Sequence, residues 1–364
     1  MTSPARQPDT ASRLASLARG RTLDEPAAAG VFADLLEGRL DDAQIGALLA
    51  LLAARGPTPE ELIGAARVMR AHVTPVAYEP AGDERLIDTC GTGGAPKTFN
   101  VSTVAAIIAA GIEPPGESGV RRIVVAKHGN RSRTGRGSAE VLAALGVNLD
   151  ATPEAQSRCL RDAGVCFSFA IRHHPAMVHA AGPRRSLGFP TIFNLLGPLT
   201  NPAGANRQLL GVAQREHVAL VARALCALGA DRAGVAHSDD GLDELGVTAP
   251  NTLAWIDAGR VRTERVDPGD PALGLDENGS LAGATLAALA ADSVEQAARI
   301  ARAVVDGSDR GPRRSMALLN AGAAAVVAGV VDDLSSGVSL ARVAVDSGRA
   351  QGVLASLARA SHAG

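Results

Sequence analysis

The sequence predicts an α/β protein, with a small N-terminal α-helical domain plus a large α/β domain with a mainly parallel central sheet. Three observations carry this. The first 70 or so residues repeat their apolar positions at helical spacing. From Leu86 onward short apolar strands alternate with helical runs, the pattern of a parallel sheet covered on both faces. Between Leu86 and Thr103 a strand, a turn rich in glycine and a helix start follow one another directly.

Residues 1–12 read as a mobile tail. Leu14, Leu17 and Ala18 begin the helical pattern, and Pro26 opens a helix carrying Val31, Phe32, Leu35 and Leu36. Asp41-Asp42 caps a third helix with Ile45, Leu48, Leu49 and Leu52, stopped by Gly56-Pro57. Thr58-Pro59-Glu60-Glu61 is a capping box with proline at the first helical position, leading into Leu62, Ile63, Ala66 and Met69. Pro75, Pro80 and Gly82 mark a linker. Strands are expected at 86–90, 123–126, 165–170, 233–236 and 253–256, the last as an antiparallel edge. Helices are expected at 101–111, 138–145, from Pro153, and at 217–228, 293–306, 313–330 and 337–347. The stretch 112–121 reads as an exposed loop from its Pro and Gly content.

Composition narrows the function. The chain has 364 residues, 46% hydrophobic and 20% charged, enough for a large core and too apolar for general disorder. Aromatics make up 2%, so the core must be aliphatic. A net charge of −2 offers no basic excess for nucleic acid or an anionic membrane. The four cysteines are far apart, and Cys90, Cys166 and Cys226 sit in apolar surroundings as expected of buried free thiols. The first 20 residues lack an apolar core, which argues against a signal peptide and for a cytoplasmic protein.

Four motifs carry chemistry. Gly91-Thr92-Gly93-Gly94 lets the chain approach an anion closely, with the hydroxyls of Thr98, Ser102 and Thr103 as added donors or metal ligands. The second runs from Val124 through Lys127-His128-Gly129-Asn130-Arg131 to Gly137-Ser138, again strand, loop and helix start. Lys127 supplies a compact cation, Asn130 an amide, His128 a possible ligand contact, and Ser138 an N-cap. Lys97 and Lys127 are the only lysines in the chain, both beside glycine motifs. The third, His237-Ser238-Asp239-Asp240-Gly241-Leu242-Asp243-Glu244, packs four carboxylates into six residues after a strand and suggests an oxygen-liking cation such as Mg²⁺. The fourth joins Arg172-His173-His174-Pro175 to Arg184-Arg185 and Phe193-Asn194, where an arginine suits a carboxylate. The paired histidines lack partners at zinc spacing.

With these motifs in this order, the chain closely resembles the anthranilate phosphoribosyltransferases of tryptophan biosynthesis, from about residue 12 to 358. The likeness rests on DDAQIGALLALLAARGPTPEEL, GTGG with TFNVST, KHGNR with GSAE, HPAM with RRSLG, TIFNLLGPLTNP, DDGLDE, LLNAGAA and DSGRA. The resemblance implies a helical, dimerising domain over 13–80 completed by helices around 174–200, an α/β domain over 81–173 and 201–364, and a homodimer. It implies that Mg²⁺-phosphoribosyl pyrophosphate meets Gly91, Gly94, Ala95, Thr98, Asn100, Val101, Ser102, Thr103, Lys127, His128, Gly129, Asn130 and Ser138. Ser102, Asp243 and Glu244 match metal-binding positions, and Gly91, Asn130 and Arg184 match positions that meet anthranilate. No general acid or base is assigned, because a weakly basic aryl amine loses its proton readily after attack, so catalysis is expected from positioning and electrostatics.

The chain also departs from the family pattern. The spacer Ala95-Pro96-Lys97 is one residue shorter than usual and lacks a leading carboxylate. Thr134-Gly135 replaces a Ser-Ser pair, one residue is missing from that loop, and 112–121 is longer. Two other readings keep the donor motifs: transfer to another aromatic or heterocyclic acceptor, and a non-catalytic binding paralogue. KHGNR and DDGLDE favour the transferase over a pyrimidine nucleoside phosphorylase of the same fold.

Overall fold

A computed structural model describes residues 9–131, 135–276 and 279–363, and the chain divides into two compact units. One comprises residues up to Thr74 together with His174–Thr200, and the other Pro75–His173 with Asn201–Gly364. Of the expected tail, residues 1–8 lie outside the described residues. Helix Thr10–Ala18 starts within it, because the Asp9 carboxylate caps the Ser12 N–H at 2.8 Å.

The helical unit follows its caps. Asp24 and Asp41 accept from the third residue beyond, and Asp41 with Gln44 forms a capping box at the start of helix Asp42–Arg55. The box expected at Thr58 is present, with Glu61 returning to the Thr58 N–H at 2.8 Å. Glu61 is fully buried, and it is tolerated because it also accepts from Arg55 at 2.6 and 2.7 Å and from the Leu23 N–H at 2.9 Å. That one carboxylate ties together three segments.

The larger unit is built on a seven-stranded sheet in the order β3-β2-β1-β4-β5-β6-β7. The strands are β1 (Glu84–Gly91), β2 (Arg122–Gly129), β3 (Val165–Phe169), β4 (Arg207–Gly211), β5 (Arg232–Ser238), β6 (Asn251–Asp257) and β7 (Arg260–Val266). β1 to β5 run parallel, and β6 and β7 are antiparallel. The chain moves outward one way from β1 to β3 and the other way from β4, so the order reverses between β1 and β4. In open parallel sheets the carboxyl ends at such a reversal form the ligand crevice.

Several elements differ from expectation. β4 is absent from the sequence reading because only Leu209 and Leu210 mark it as apolar. β7 also goes unread, since Arg260, Arg262 and Glu264 on an exposed outer strand give no apolar signal. The strand at 253–256 is therefore antiparallel as expected but interior, with β7 as the edge, joined through Ala258 and Gly259, both at positive φ. Helix Arg349–Ala360 is a further addition, and Cys226 is half-buried where full burial was expected. Among the described residues no helix is long and apolar enough to cross a membrane.

Helices Val101–Ala110 and Pro312–Ala328 form the centre of the core, and all of the former but Ser102 is buried. Alanines and glycines allow this packing. Gly322 and Gly337 bring helix Pro312–Ala328 against helix Leu334–Asp346, and a Cβ on Gly322 would stand 2.6 Å from the Val338 nitrogen. Backbone on the facing helix cannot yield as a flexible side chain would. Gly322→Ala is therefore expected to cost about 1–3 kcal/mol, read as a lower thermal midpoint; an unchanged midpoint would contradict this close crossing.

Candidate active site

The site begins where β1 and β4 end. Gly91 and Gly211 are register partners, and the Thr92 N–H donates to the Gly211 carbonyl at 3.0 Å. Beyond them Gly93 and Gly94 have φ of 70° and 89°, which side-chain-bearing residues rarely adopt. The loop then enters helix Val101–Ala110 through Asn100, itself left-handed at φ 67°. Asn100 makes no capping bond and donates instead to the Arg136 carbonyl at 3.5 Å, linking the two glycine loops. A helix start without a side-chain cap, preceded by left-handed glycines, is suited to an anion.

β2 supplies the cation. The Lys127 ammonium is buried and donates to the Thr89 carbonyl at 2.7 Å and the Ser102 hydroxyl at 3.0 Å. Burial lowers its pKa, and the carboxylate of Asp88 opposes that shift. Asp88 lies fully buried on β1, where it accepts from the His128 N–H at 3.1 Å and from Gln208 at 3.2 Å. His128 and Gly129 close β2, Gly129 so near Phe167 that a Cβ would stand 2.9 Å from the ring. Asn130 follows, its side-chain oxygen accepting the Arg131 N–H at 2.7 Å. Gly137, not Ser138, is the N-cap of helix Ser138–Ala144: the chain is extended at Gly137 and its N–H donates to Glu140 at 2.8 Å, so Ser138 is the first helical residue. Thr134 lies outside the described residues.

The acidic run after β5 is sorted by its partners. Asp239 pairs with Arg265 at 2.9 Å, and Asp240 accepts from the Thr248 hydroxyl. Asp243 and Glu244 turn inward. The Asp243 carboxylate accepts the Gly93 N–H at 2.7 Å, and Glu244 accepts from the Thr98 hydroxyl at 2.7 Å. Gly91 and Gly211 make room for this loop, since a Cβ on Gly211 would lie 1.7 Å from the Asp243 carbonyl oxygen and one on Gly91 2.3 Å from its carboxylate. Ser102, Asp243 and Glu244 line one small cavity with Thr89 and Cys90. Burial, reinforced by Asp243, pushes the Glu244 carboxyl up to about 8. Burial also raises Asp243, against the Gly93 N–H and the two lysines.

Two adjacent half-buried carboxyls held above their ordinary range suit a hard cation. Among the described residues no group of three or more His, Cys, Asp or Glu forms a metal cage. The donors present therefore fit Mg²⁺ that completes its coordination with water and phosphate oxygens.

The structure thus brings together Gly91, Thr98, Ser102, Lys127, Asp243 and Glu244, with Gly94, Ala95, Asn100, Val101 and Thr103 on the same connection. Arg184 belongs to the helical unit, in helix Val178–Leu187, its guanidinium 5.0 Å over the Phe193 ring and its pKa lowered by burial. Gly211, the Thr89 carbonyl and the Asp243 partner of the Gly93 N–H were not singled out from sequence. Gly211 had no signal because its strand had none.

A strand-end glycine turn and uncapped helix start beside a carboxyl pair suit a phosphate-bearing substrate taken with a cation. The chain belongs to the glycosyl transferase family: residues 83–351 match its a/b domain and residues 12–73 its helical bundle domain. An anthranilate phosphoribosyltransferase of Methylobacterium radiotolerans is 46% identical over 351 residues, covering 96% of this chain and 95% of that protein. One from Rubrobacter xylanophilus is 43% identical over 350 residues, covering 96% of each. The crystal structure of anthranilate phosphoribosyltransferase from Thermus thermophilus superposes with a TM-score of 0.85 at 38% identity, covering 96% of this chain and 99% of that one.

A carboxyl raised from the ordinary 4.5 to about 8 stabilises the fold fully below pH 4.5 and loses that contribution as pH rises through about 8. The metal-free protein is therefore expected to lose thermal stability over that window, and Glu244→Gln to flatten the profile. Parallel melting profiles for the two proteins would contradict the raised Glu244 carboxyl.

Proposed function

We propose that this chain transfers the phosphoribosyl group of 5-phosphoribosyl 1-diphosphate to the amine of anthranilate, releasing diphosphate, in tryptophan biosynthesis. The observation that carries it is the tie between the glycine turn and the acidic pair, Gly93 to Asp243 and Thr98 to Glu244. The names of the relatives that span the chain support it.

In this reading the donor lies along Gly91, Gly94, Ala95, Thr98, Asn100, Val101, Ser102 and Thr103, with Lys127, His128, Gly129, Asn130 and Ser138 on its other side. Backbone N–H groups and the start of helix Val101–Ala110 bind phosphate oxygens. Lys97, whose charge interacts with Asp243, adds a cation beside the leaving group. Asp243 and Glu244, with Ser102, hold Mg²⁺, which supplies charge neutralisation to the departing diphosphate. The C1–O bond breaks with its electron pair leaving on diphosphate, and the anthranilate nitrogen forms the C1–N bond from the opposite face. The aryl amine then loses a proton to water, so no side chain must act as a base.

Arg184 takes the anthranilate carboxylate, and Asn130 and Gly91 meet its amine side. The protein works in the cytoplasm as a homodimer through its helical unit, a reading supported by unpaired cysteines and by exposed Val178 and Phe189.

The test is incubation with the donor, Mg²⁺ and anthranilate, following loss of anthranilate fluorescence; turnover is expected, and its absence would overturn the reading. Arg184→Ala is expected to raise KM for anthranilate about 10- to 100-fold, the worth of a hydrogen bond to a charged group, with little change for the donor. Equal effects on both substrates would remove the carboxylate role. Asp243→Asn combined with Glu244→Gln is expected to lower kcat at least about 100-fold, and an unchanged rate would exclude the metal assignment.

A further inference from the structure

The LLNAGAA segment of helix Pro312–Ala328 stands out in the sequence, and the reaction as described leaves it without a role. Its Asn320 is buried, and its side chain grips the peptide that follows the acidic pair. The Asn320 carbonyl oxygen accepts the Leu245 N–H at 3.1 Å, while its amide donates to the Leu245 carbonyl at 2.8 Å and to the Met316 carbonyl at 2.9 Å. The next residue is held the same way by a second asparagine. Asn251, fully buried at the start of β6, accepts the Gly246 N–H at 2.7 Å and donates to the Gly246 carbonyl at 3.0 Å. Each amide must face one way for this, because a flipped side chain would set donor against donor.

Two reciprocal clamps on consecutive residues are not needed to turn a surface loop. Here they sit directly after two adjacent half-buried carboxyl groups, which water would otherwise draw outward as they ionise. Asn320 also lines the small cavity that Ser102, Asp243 and Glu244 line. We infer that Asn320 and Asn251 are positioning residues, which hold Asp243 and Glu244 in the geometry that takes a divalent cation with diphosphate before that ligand arrives. The inference rests on the reading of the site given above.

The test titrates inorganic diphosphate with Mg²⁺ into the full-length wild type, Asn320→Ala and Asn251→Ala by calorimetry, with steady-state kinetics alongside. Each variant is expected to bind about 10- to 100-fold more weakly, with KM for the donor raised and KM for anthranilate unchanged. Wild-type affinity in both folded variants, or an equal rise in both KM values, would overturn the positioning role. Hydrogen exchange on the ligand-free wild type tests the clamps themselves without any variant. The Leu245 and Gly246 amides are expected to exchange as slowly as those of the central strands, and fast exchange would overturn the clamps. Wild type that binds no magnesium diphosphate would instead overturn the function proposed for the site, while the exchange result still judges the clamps.

Discussion

Everything at the candidate site depends on holding the half-buried Asp243 and Glu244 turned inward, largely screened from water. A buried carboxylate is costly unless its lone pairs and charge are met. Here the first need is met by the Gly93 N–H and the Thr98 hydroxyl, and the second only partly by Lys127 and Lys97. The shortfall shows as carboxyls held above their ordinary range. The loop is thus poised for a cation, and its electrostatic debt is the reason it would bind one.

The sheet makes that burial possible. Because the strand order reverses between β1 and β4, two glycine-terminated strands stand side by side at the crevice this reversal opens. The Asp243 backbone lies against both, at a distance that no side-chain-bearing residue would permit at Gly211. The same end of the sheet presents the start of helix Val101–Ala110 and the Lys127 ammonium, so positive and negative elements meet at one place. Beneath them Asp88 and Gln208, register partners on β1 and β4, fill the interior with satisfied polar groups.

Much of this was legible in sequence, for physical reasons. Glycine turns and capping boxes act through neighbours within four residues, so GTGG, Thr58–Glu61 and the strand ends before Gly91 and Gly129 could be read locally. Four acidic residues in a short loop announced a site but not its sorting, because the partners of Asp239 and Asp240, Arg265 and Thr248, are settled by folding. β7 escaped notice since an exposed edge strand has no apolar alternation, and Gly211 and the role of Asn320 escaped because their contacts are tertiary. A buried asparagine that holds a distant peptide looks, in sequence, like any polar residue. Ser138 was misjudged by one position, as Gly137 needs no side chain to begin a helix in an extended conformation.

The most direct measurement is a crystal structure of the protein soaked with 5-phosphoribosyl 1-diphosphate and Mg²⁺. The account predicts sugar-diphosphate density against Gly91–Gly94 and the start of helix Val101–Ala110, with the metal beside Asp243 and Glu244. Density for the sugar diphosphate elsewhere, or a metal that ignores both carboxylates, would contradict it.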